Sequence, residues 1–369
     1  MSVQASPPTE SRLRRALYAL PFLVLSALMT RAFAMAEPIG PLLQEMVQNS
    51  VFTAPGGVEV PVIQGFYRIP LLDNIFAVVT MAFGQLQFFT DQKAYWQSLV
   101  FLTDFAGMYA VVLIESYRPG NKFPAIRFPV VFLFLSQIFG IGFLAPLFFF
   151  TFYVLTPAYK LTTPSLHRPG VAPCLALLPT IVLGYYLTHF PSYFHSSLEA
   201  RNWWNWIWQL FPVWGSVIML ALSKIFPQPS DKSERASGKE LNLLRLTVGV
   251  LSIVGMTTWW YTLAKMDYTI FEVFVPQHLI NFPQDPHLGL RTVIQYDYIC
   301  CYSAGFLWLT YHFKDLESVG VCTISWIRAV TVSVVLGCVV GPGTLFILIW
   351  LLREELLAAT RTDSSKSED

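Results

Sequence analysis

Two carboxylates eleven residues apart, Asp104 and Glu115, have the residue types and the spacing to do chemistry. Asp104 stands inside the hydrophobic run Tyr95–Ile114 (YWQSLVFLTDFAGMYAVVLI) and Glu115 closes it. An unpaired ionised Asp near a bilayer centre costs at least about 2.5–3.5 kcal/mol, so such a residue faces a protein interior and marks a site. Eleven residues make three turns at about 3.6 residues per turn, so one helix face carries a deep and a shallow carboxylate. A carboxyl held deep in apolar surroundings can serve as a general acid. Asp297, about six residues inside the run at 292–313, is a second deep acid. Either deep residue can instead pair with a buried Arg or cap a neighbouring helix.

The elements that position these groups are membrane helices. Hydrophobic residues make up 54% of the 369, charged residues only 13% and aromatic residues 15%, against roughly 25% charged in an ordinary soluble domain. Spans of about 20 apolar residues are predicted at nine stretches: 16–35, 70–90, 95–114, 128–155, 171–190, 203–223, 243–264, 292–313 and 326–352. The fold class is therefore all-α, a polytopic integral membrane bundle of eight to nine transmembrane helices, because a lipid-exposed backbone must satisfy its own hydrogen bonds. Residues 1–15 read as a polar N-terminal segment, 16–352 as one transmembrane domain and 353–369 as a polar, disordered tail. The first stretch reads as a retained anchor, and Pro227–Asn242 (PQPSDKSERASGKELN) as a flexible loop. The distribution of Lys and Arg weakly favours a cytoplasmic N-terminus.

Strict alternation of nine spans puts Asp73, Glu115, Asp267, Glu272 and Asp297 on one side of the membrane. With Asp104 they make six acids predicted to line a cavity open to that face. Trp259, Trp260 and Tyr298 fall at the same level, where aromatic faces can stabilise a cation or form an ordinary interfacial belt. For Glu115, Asp267 and Glu272, at span ends, a solvated acid or loop salt bridge is the simpler role. Other chemistries are poorly served. The chain contains no GxSxG, HExxH, P-loop or glycine-rich dinucleotide fingerprint, and no DDxxD cluster for magnesium. Its five cysteines show no CxxC spacing and its six histidines are scattered, so no metal site or disulfide framework is expected. A formal net charge of +1 implies no nucleic-acid surface.

The segment Leu113–Lys122 (LIESYRPGNK), directly after the Asp104 span, resembles a motif of the fungal membrane-bound terpene cyclases of ascofuranone and ascochlorin meroterpenoid biosynthesis. The resemblance implies protonation-initiated cyclisation of an epoxidised farnesyl chain on an aromatic polyketide, without a metal or redox cofactor. It implies roles for Glu115, Arg118 and Asn121. In that reading Asp104 or Glu115 donates the proton to the terminal epoxide, and Asp297 or Asp267 accepts the proton lost later. Arg118, Asn121, Asp73, Trp259, Trp260 and Tyr298 surround a lipophilic prenylated aromatic substrate drawn from the lipid, and the protein is a multi-pass resident of the endoplasmic reticulum. Intramembrane acids also serve proton- or cation-coupled transporters, or form structural pairs in a receptor or scaffold.

Overall fold

A computed structural model describes residues 11–227, 238–278, 280–281 and 283–366. Most of the loop expected around 227–242 lies outside them, as do residues 1–10 and 367–369. Helices α1 (Arg12–Tyr18) and α2 (Leu20–Ala34) form a pair bent by 45°. Helix α3 (Ile39–Asn49) leads into an antiparallel hairpin of β1 (Val51–Ala54) and β2 (Val58–Pro61), with Val51 opposite Pro61 and Ala54 opposite Val58. Next come α4 (Pro70–Gln87), α5 (Gln92–Ser116), α6 (Pro124–Arg127), α7 (Pro129–Phe139), α8 (Ile141–Leu155), α9 (Ala158–Thr162) and α10 (Pro164–His167). Helix α11 (Val171–Ile181) passes through a π-helical turn (Val182–Tyr186) into α12 (Leu187–Phe194). Helices α13 (Leu198–Gln209) and α14 (Phe211–Ile225) meet at 60°. The described chain ends with α15 (Lys239–Lys265), α16 (Ile270–Phe274), α17 (Pro286–Ser318), α18 (Trp326–Val340) and α19 (Pro342–Lys366).

Helix α5 is the axis of the fold. Asp91 opens it by accepting a hydrogen bond from the Ala94 N–H (3.1 Å), and every residue from Ala94 to Ser116 is buried. A helix apolar on all sides is covered on all sides, and here protein provides the cover: α15, α17, α19, α11 and α4 pack around it. The first apolar stretch also packs into the fold. Arg15 is buried, bridging Asp315 of α17 at 2.8 Å and donating to the Tyr153 carbonyl at 2.9 Å. At the other end α19 continues to Lys366, with Arg353 and Glu354 buried. Arg15 and Arg353–Glu354, assigned to the two polar ends, thus lie inside the packed domain, because buried partners neutralise their charges.

Among the described residues three helical segments, Gln92–Ser116, Pro164–Phe194 and Lys239–Lys265, are long and apolar enough to cross a membrane; counting each bent pair as one span makes five. The eight to nine spans predicted from hydropathy exceed that number: Pro70–Gln87 and Pro286–Ser318 are unbroken but not among the helices apolar enough to cross, and two further runs are broken. The run at 128–155 divides at Gly140 (φ +74°) and that at 326–352 at Gly341 (φ +84°), both in the left-handed region that glycine tolerates. At Gly140 the chain folds back, stacking Phe132 of α7 on Phe148 of α8 with ring centroids 4.5 Å apart. Sixteen residues of straight helix would separate those rings by about 24 Å.

This reversal changes sidedness. Strict alternation makes the third and eighth spans antiparallel, but α5 and α17 run parallel. Arg291 bridges Asp91 at 2.9 Å, Gln97 donates to the Ile294 carbonyl at 3.1 Å, Tyr298 reaches Asp104, and Cys301 meets Met108 at 3.4 Å. Glu272 is tied to Lys93 at the start of α5 (2.8 Å), whereas Glu115 sits at its end. The five acids therefore do not share one face.

Candidate active site

Asp104 lies where α5 meets the start of α19. Gly341 ends α18, Pro342 begins α19 at a position that needs no N–H, and the Gly343 N–H donates to Asp104 Oδ2 at 3.1 Å. Tyr298 Oη donates to the same oxygen at 3.4 Å. A Cβ on Gly343 would lie 2.2 Å from the Asp104 Cβ, so only glycine lets the carboxylate reach the helix terminus. Asp297 repeats the arrangement. The triplet Gly140-Ile141-Gly142 breaks a run as Gly341-Pro342-Gly343 does, and the Gly142 N–H donates to Asp297 Oδ1 at 2.5 Å. Each deep aspartate thus caps another segment's helix, satisfying an orphan N–H and facing the positive end of the helix dipole.

The surroundings of the two differ. Asp297 is pressed against glycine backbone, with Phe33 covering Gly140. Asp104 is ringed by polar aromatics. The π-helical turn, one turn beyond Pro179, directs Tyr185 Oη to the Leu102 carbonyl (2.6 Å) and Tyr186 Oη to the Thr103 carbonyl (3.4 Å). Such turns occur mostly as insertions at functional sites. His189 Nε2 lies 2.9 Å from Thr103 Oγ1, and Tyr298 packs on Phe101 and Tyr302 with centroids 5.0 and 5.1 Å apart. No cation bridges Asp104 or Asp297 among the described residues. Sequence reasoning misses Tyr185, Tyr186, His189, Tyr302 and Thr344; the two G-x-G triplets within apolar runs are the signal that marks the neighbourhood.

Glu115 projects toward α19 as Asp104 does, as their spacing requires, but about 16 Å further along the axis. Its carboxylate is bridged by Arg118 Nε at 2.7 Å and by Arg353, and accepts from Trp350 Nε1 at 3.1 Å. Arg118 and Arg353 also bridge Glu354, at 3.0 and 2.8 Å. His167 Nε2 lies 3.1 Å from Glu354, and Arg353 Nη1 donates to His312 Nδ1 at 2.6 Å. Asn121 Nδ2 donates to the Glu115 carbonyl at 2.9 Å. Two carboxylates and two guanidiniums therefore neutralise one another in a buried cluster, placing Glu115, Arg118 and Asn121 in a clamp between the end of α5, α10 and α19.

The remaining predicted residues disperse. Asp73 accepts from the Tyr67 and Ile69 N–H groups at 2.7 and 3.1 Å, fixing the entry to α4. Asp267 is exposed in the turn before α16. Glu272 is held down to about pKa 2 by the Lys93 hydrogen bond and by bonds from Thr269. Trp259 lies over Gly341, where an added Cβ would come within 3.3 Å of the indole, and donates to the Cys338 carbonyl at 3.1 Å, while Trp260 faces outward, 52% exposed. The six acids do not line a common cavity. An open groove of about 550 Å³ is bounded by Leu20, Pro21, Val24, Leu25, Ser303 and Leu307 and contains none of them. No group of three or more His, Cys, Asp or Glu side chains among the described residues could hold a metal.

Similarity to known proteins runs along nearly the whole chain. It is 25% identical to the FAD-dependent monooxygenase verC1 of Penicillium polonicum over 99% of its own length and 45% of that protein's. It is 26% identical to the FAD-dependent monooxygenase anuJ of Penicillium roqueforti over 82% of its length and 37% of that protein's. The chain thus spans less than half the length of these relatives. The terpene cyclase ascI of Acremonium egyptiacum is 25% identical over 69% of this chain and 70% of its own, a distant likeness in line with the Leu113–Lys122 resemblance. No solved structure matches. The CtvD domain matches residues 15–358, from the buried Arg15 past the Arg353–Glu354 clamp, and the chain belongs to the CtvD domain family.

Proposed function

We propose that this chain is a membrane-embedded terpene cyclase of fungal secondary metabolism, which protonates the terminal epoxide of a farnesylated aromatic polyketide and directs its closure to a tetrahydrofuran or a carbocycle. The observation that carries the proposal is Asp104, a buried carboxyl with neutral hydrogen-bond donors and no bridging cation among the described residues, enclosed by tyrosine rings. Asp104 donates its proton to the epoxide oxygen. The rings of Tyr298, Tyr302, Tyr185 and Phe101 stabilise the positive charge that develops on carbon and keep water from it.

The likeness to terpene cyclase ascI supports this reading. The larger monooxygenase relatives fit it too, since this chain aligns with less than half of each. A flavin does not fit the residues at hand. The one sheet among them is the β1–β2 hairpin, so they form no strand–glycine loop–helix unit to take a dinucleotide pyrophosphate. Monooxygenation can install an epoxide, and a cyclase unit consumes one. Substrate entry is lateral and from the bilayer: α18 is exposed along almost its whole length, with only Val340 buried, and hinges at Gly341 beside Asp104. A multi-pass protein of the endoplasmic reticulum would meet a lipophilic substrate there. Incubating microsomes that contain the chain with an epoxyfarnesyl phenol should yield an isomer of unchanged mass by mass spectrometry; unchanged substrate in wild-type and empty microsomes alike would overturn the reading.

The paired G-x-G breaks favour a second reading, a proton-coupled transporter, because half-helix ends facing buried acids also form ion sites. Solute flux in proteoliposomes without any effect on the epoxide would select it.

A further inference from the structure

Beside Asp104 a second oxygen-bearing group points into the same space. A Cβ built on Gly255 of α15 would lie 2.5 Å from Thr344 Oγ1 and 3.1 Å from Asp104 Oδ1, so both oxygens face the bare backbone of this glycine. Both bonds to the Asp104 carboxylate, from Tyr298 and Gly343, go to Oδ2. Thr344 is 1% exposed and its hydroxyl has no partner among the described residues; the same holds for Tyr302, 4% exposed and one helical turn beyond Tyr298. Buried hydroxyls are rarely left unpaired, because each forfeits about 1–3 kcal/mol. Thr344 Oγ1 and the second Asp104 oxygen, with the Tyr302 orphan on the helix that carries Tyr298, have the chemistry to take a molecule that brings an oxygen with both a lone pair and a proton.

We propose that Thr344, Tyr302 and Asp104 Oδ1 form an oxygen-binding site for the nucleophile of the reaction, either a hydroxyl of the substrate or a water, with Gly255 letting the Thr344 and Asp104 oxygens converge. This assignment rests on the cyclase reading and deepens it. The Asp104 proton passes to the epoxide oxygen and the epoxide C–O bond breaks. The lone pair of the oxygen held by Thr344 forms the new C–O bond, and the proton of that oxygen returns to Asp104. With a substrate hydroxyl the balance is an isomerisation to a cyclic ether; with water it is addition to give a diol.

The test uses the full-length wild-type chain and the Thr344→Val, Thr344→Ser, Tyr302→Phe and Gly255→Ala variants in microsomes, with an epoxyfarnesyl phenol in ¹⁸O-labelled water. Thr344→Val should lower kcat/KM about ten-fold, the effect of one lost hydrogen bond, and shift the ratio of ring to diol. Thr344→Ser should restore both. Tyr302→Phe should act in the same direction, and Gly255→Ala should abolish turnover in protein that still melts cooperatively. An unlabelled cyclic ether as wild-type product identifies a substrate hydroxyl as the occupant, a labelled diol identifies water, and an unlabelled carbocycle, in which carbon rather than oxygen attacks, overturns the oxygen site. If Thr344→Val and Tyr302→Phe keep the wild-type kcat/KM and product ratio while Asp104→Asn is inactive, the oxygen site is overturned and the cyclase reading stands. A wild-type chain inert toward the epoxide overturns both.

Discussion

Helix α5 presents two carboxylates to the same neighbour, α19, in opposite electrostatic settings. Glu115 is held by two guanidiniums and an indole N–H, in a cluster whose other acid, Glu354, is held by the same two cations. Asp104 has a helix N-terminus and a tyrosine hydroxyl, neither of which bears a formal charge. A carboxylate locked between cations has no proton to give, and removing it leaves buried charges uncompensated. A carboxylate with neutral donors can lose its charge without stranding a cation. The same helix thus carries a fastening and the carboxyl proposed to react, and the clamp fixes α19, whose first turn holds Asp104.

Substitutions at each end should separate these roles. The largest effect is expected for Asp104→Asn, with turnover falling about 10²–10⁴-fold, the span of general acid catalysis, while the melting temperature in detergent stays near wild type. Glu354→Ala should do the reverse, costing about 3–5 kcal/mol by leaving Arg118 and Arg353 short of a partner; it reads out as a lowered melting transition or loss of folded protein. Were Glu354→Ala to melt like wild type while Asp104→Asn failed to fold, the two roles would have to be exchanged.

The chain shows how far apolar periodicity reaches. Helical class, the buried course of α5 and the common direction of Asp104 and Glu115 follow from hydrophobic runs and from about 3.6 residues per turn. Hydropathy cannot register a reversal within a run, because Gly140 and Gly341 are as apolar as their neighbours, and the left-handed φ they adopt leaves no mark in composition. The fold-back at Gly140 is therefore invisible to it, and strict alternation inverts the sidedness of Glu115 relative to Glu272 and Asp297. The clamp is hidden for another reason. Arg353 and Glu354 lie 238 and 239 residues after Glu115, at the start of what composition marks as a polar tail, and only packing brings them to it. Tyr185 and Tyr186 reach the α5 backbone through a π-helical turn, which a regular helical wheel places on the wrong face.

The two helix breaks allow a finer comparison. Alanine at Gly140 or Gly341 must adopt a positive φ with an extended ψ, a region all but reserved for glycine, at about 1–3 kcal/mol, and at Gly140 its Cβ would also meet Phe33 Cζ at 2.6 Å. Gly140→Ala should therefore lower the melting temperature more than Gly341→Ala, whereas Gly341→Ala should reduce turnover per folded molecule more, since it disturbs the Gly343 N–H on Asp104. Equal losses of turnover at both positions would make Asp297 a partner in the chemistry.

The smallest effect belongs to the exposed Lys93–Glu272 link at the start of α5, which fastens α16 with little burial. Its carboxyl is held down to about 2 chiefly by the Lys93 hydrogen bond. A lowered folded-state pKa gives stability that is fully present above the ordinary carboxylate range and fades as pH falls toward 2. Wild type should melt slightly above Glu272→Gln at pH 7, by about a degree as befits a surface pair, and the two curves should converge on acidification. A gap that persists after the carboxyl is protonated would assign the difference to the packing of the side chain rather than to its charge, because the Lys93 pair and the Thr269 bonds to the carboxylate both weaken on protonation.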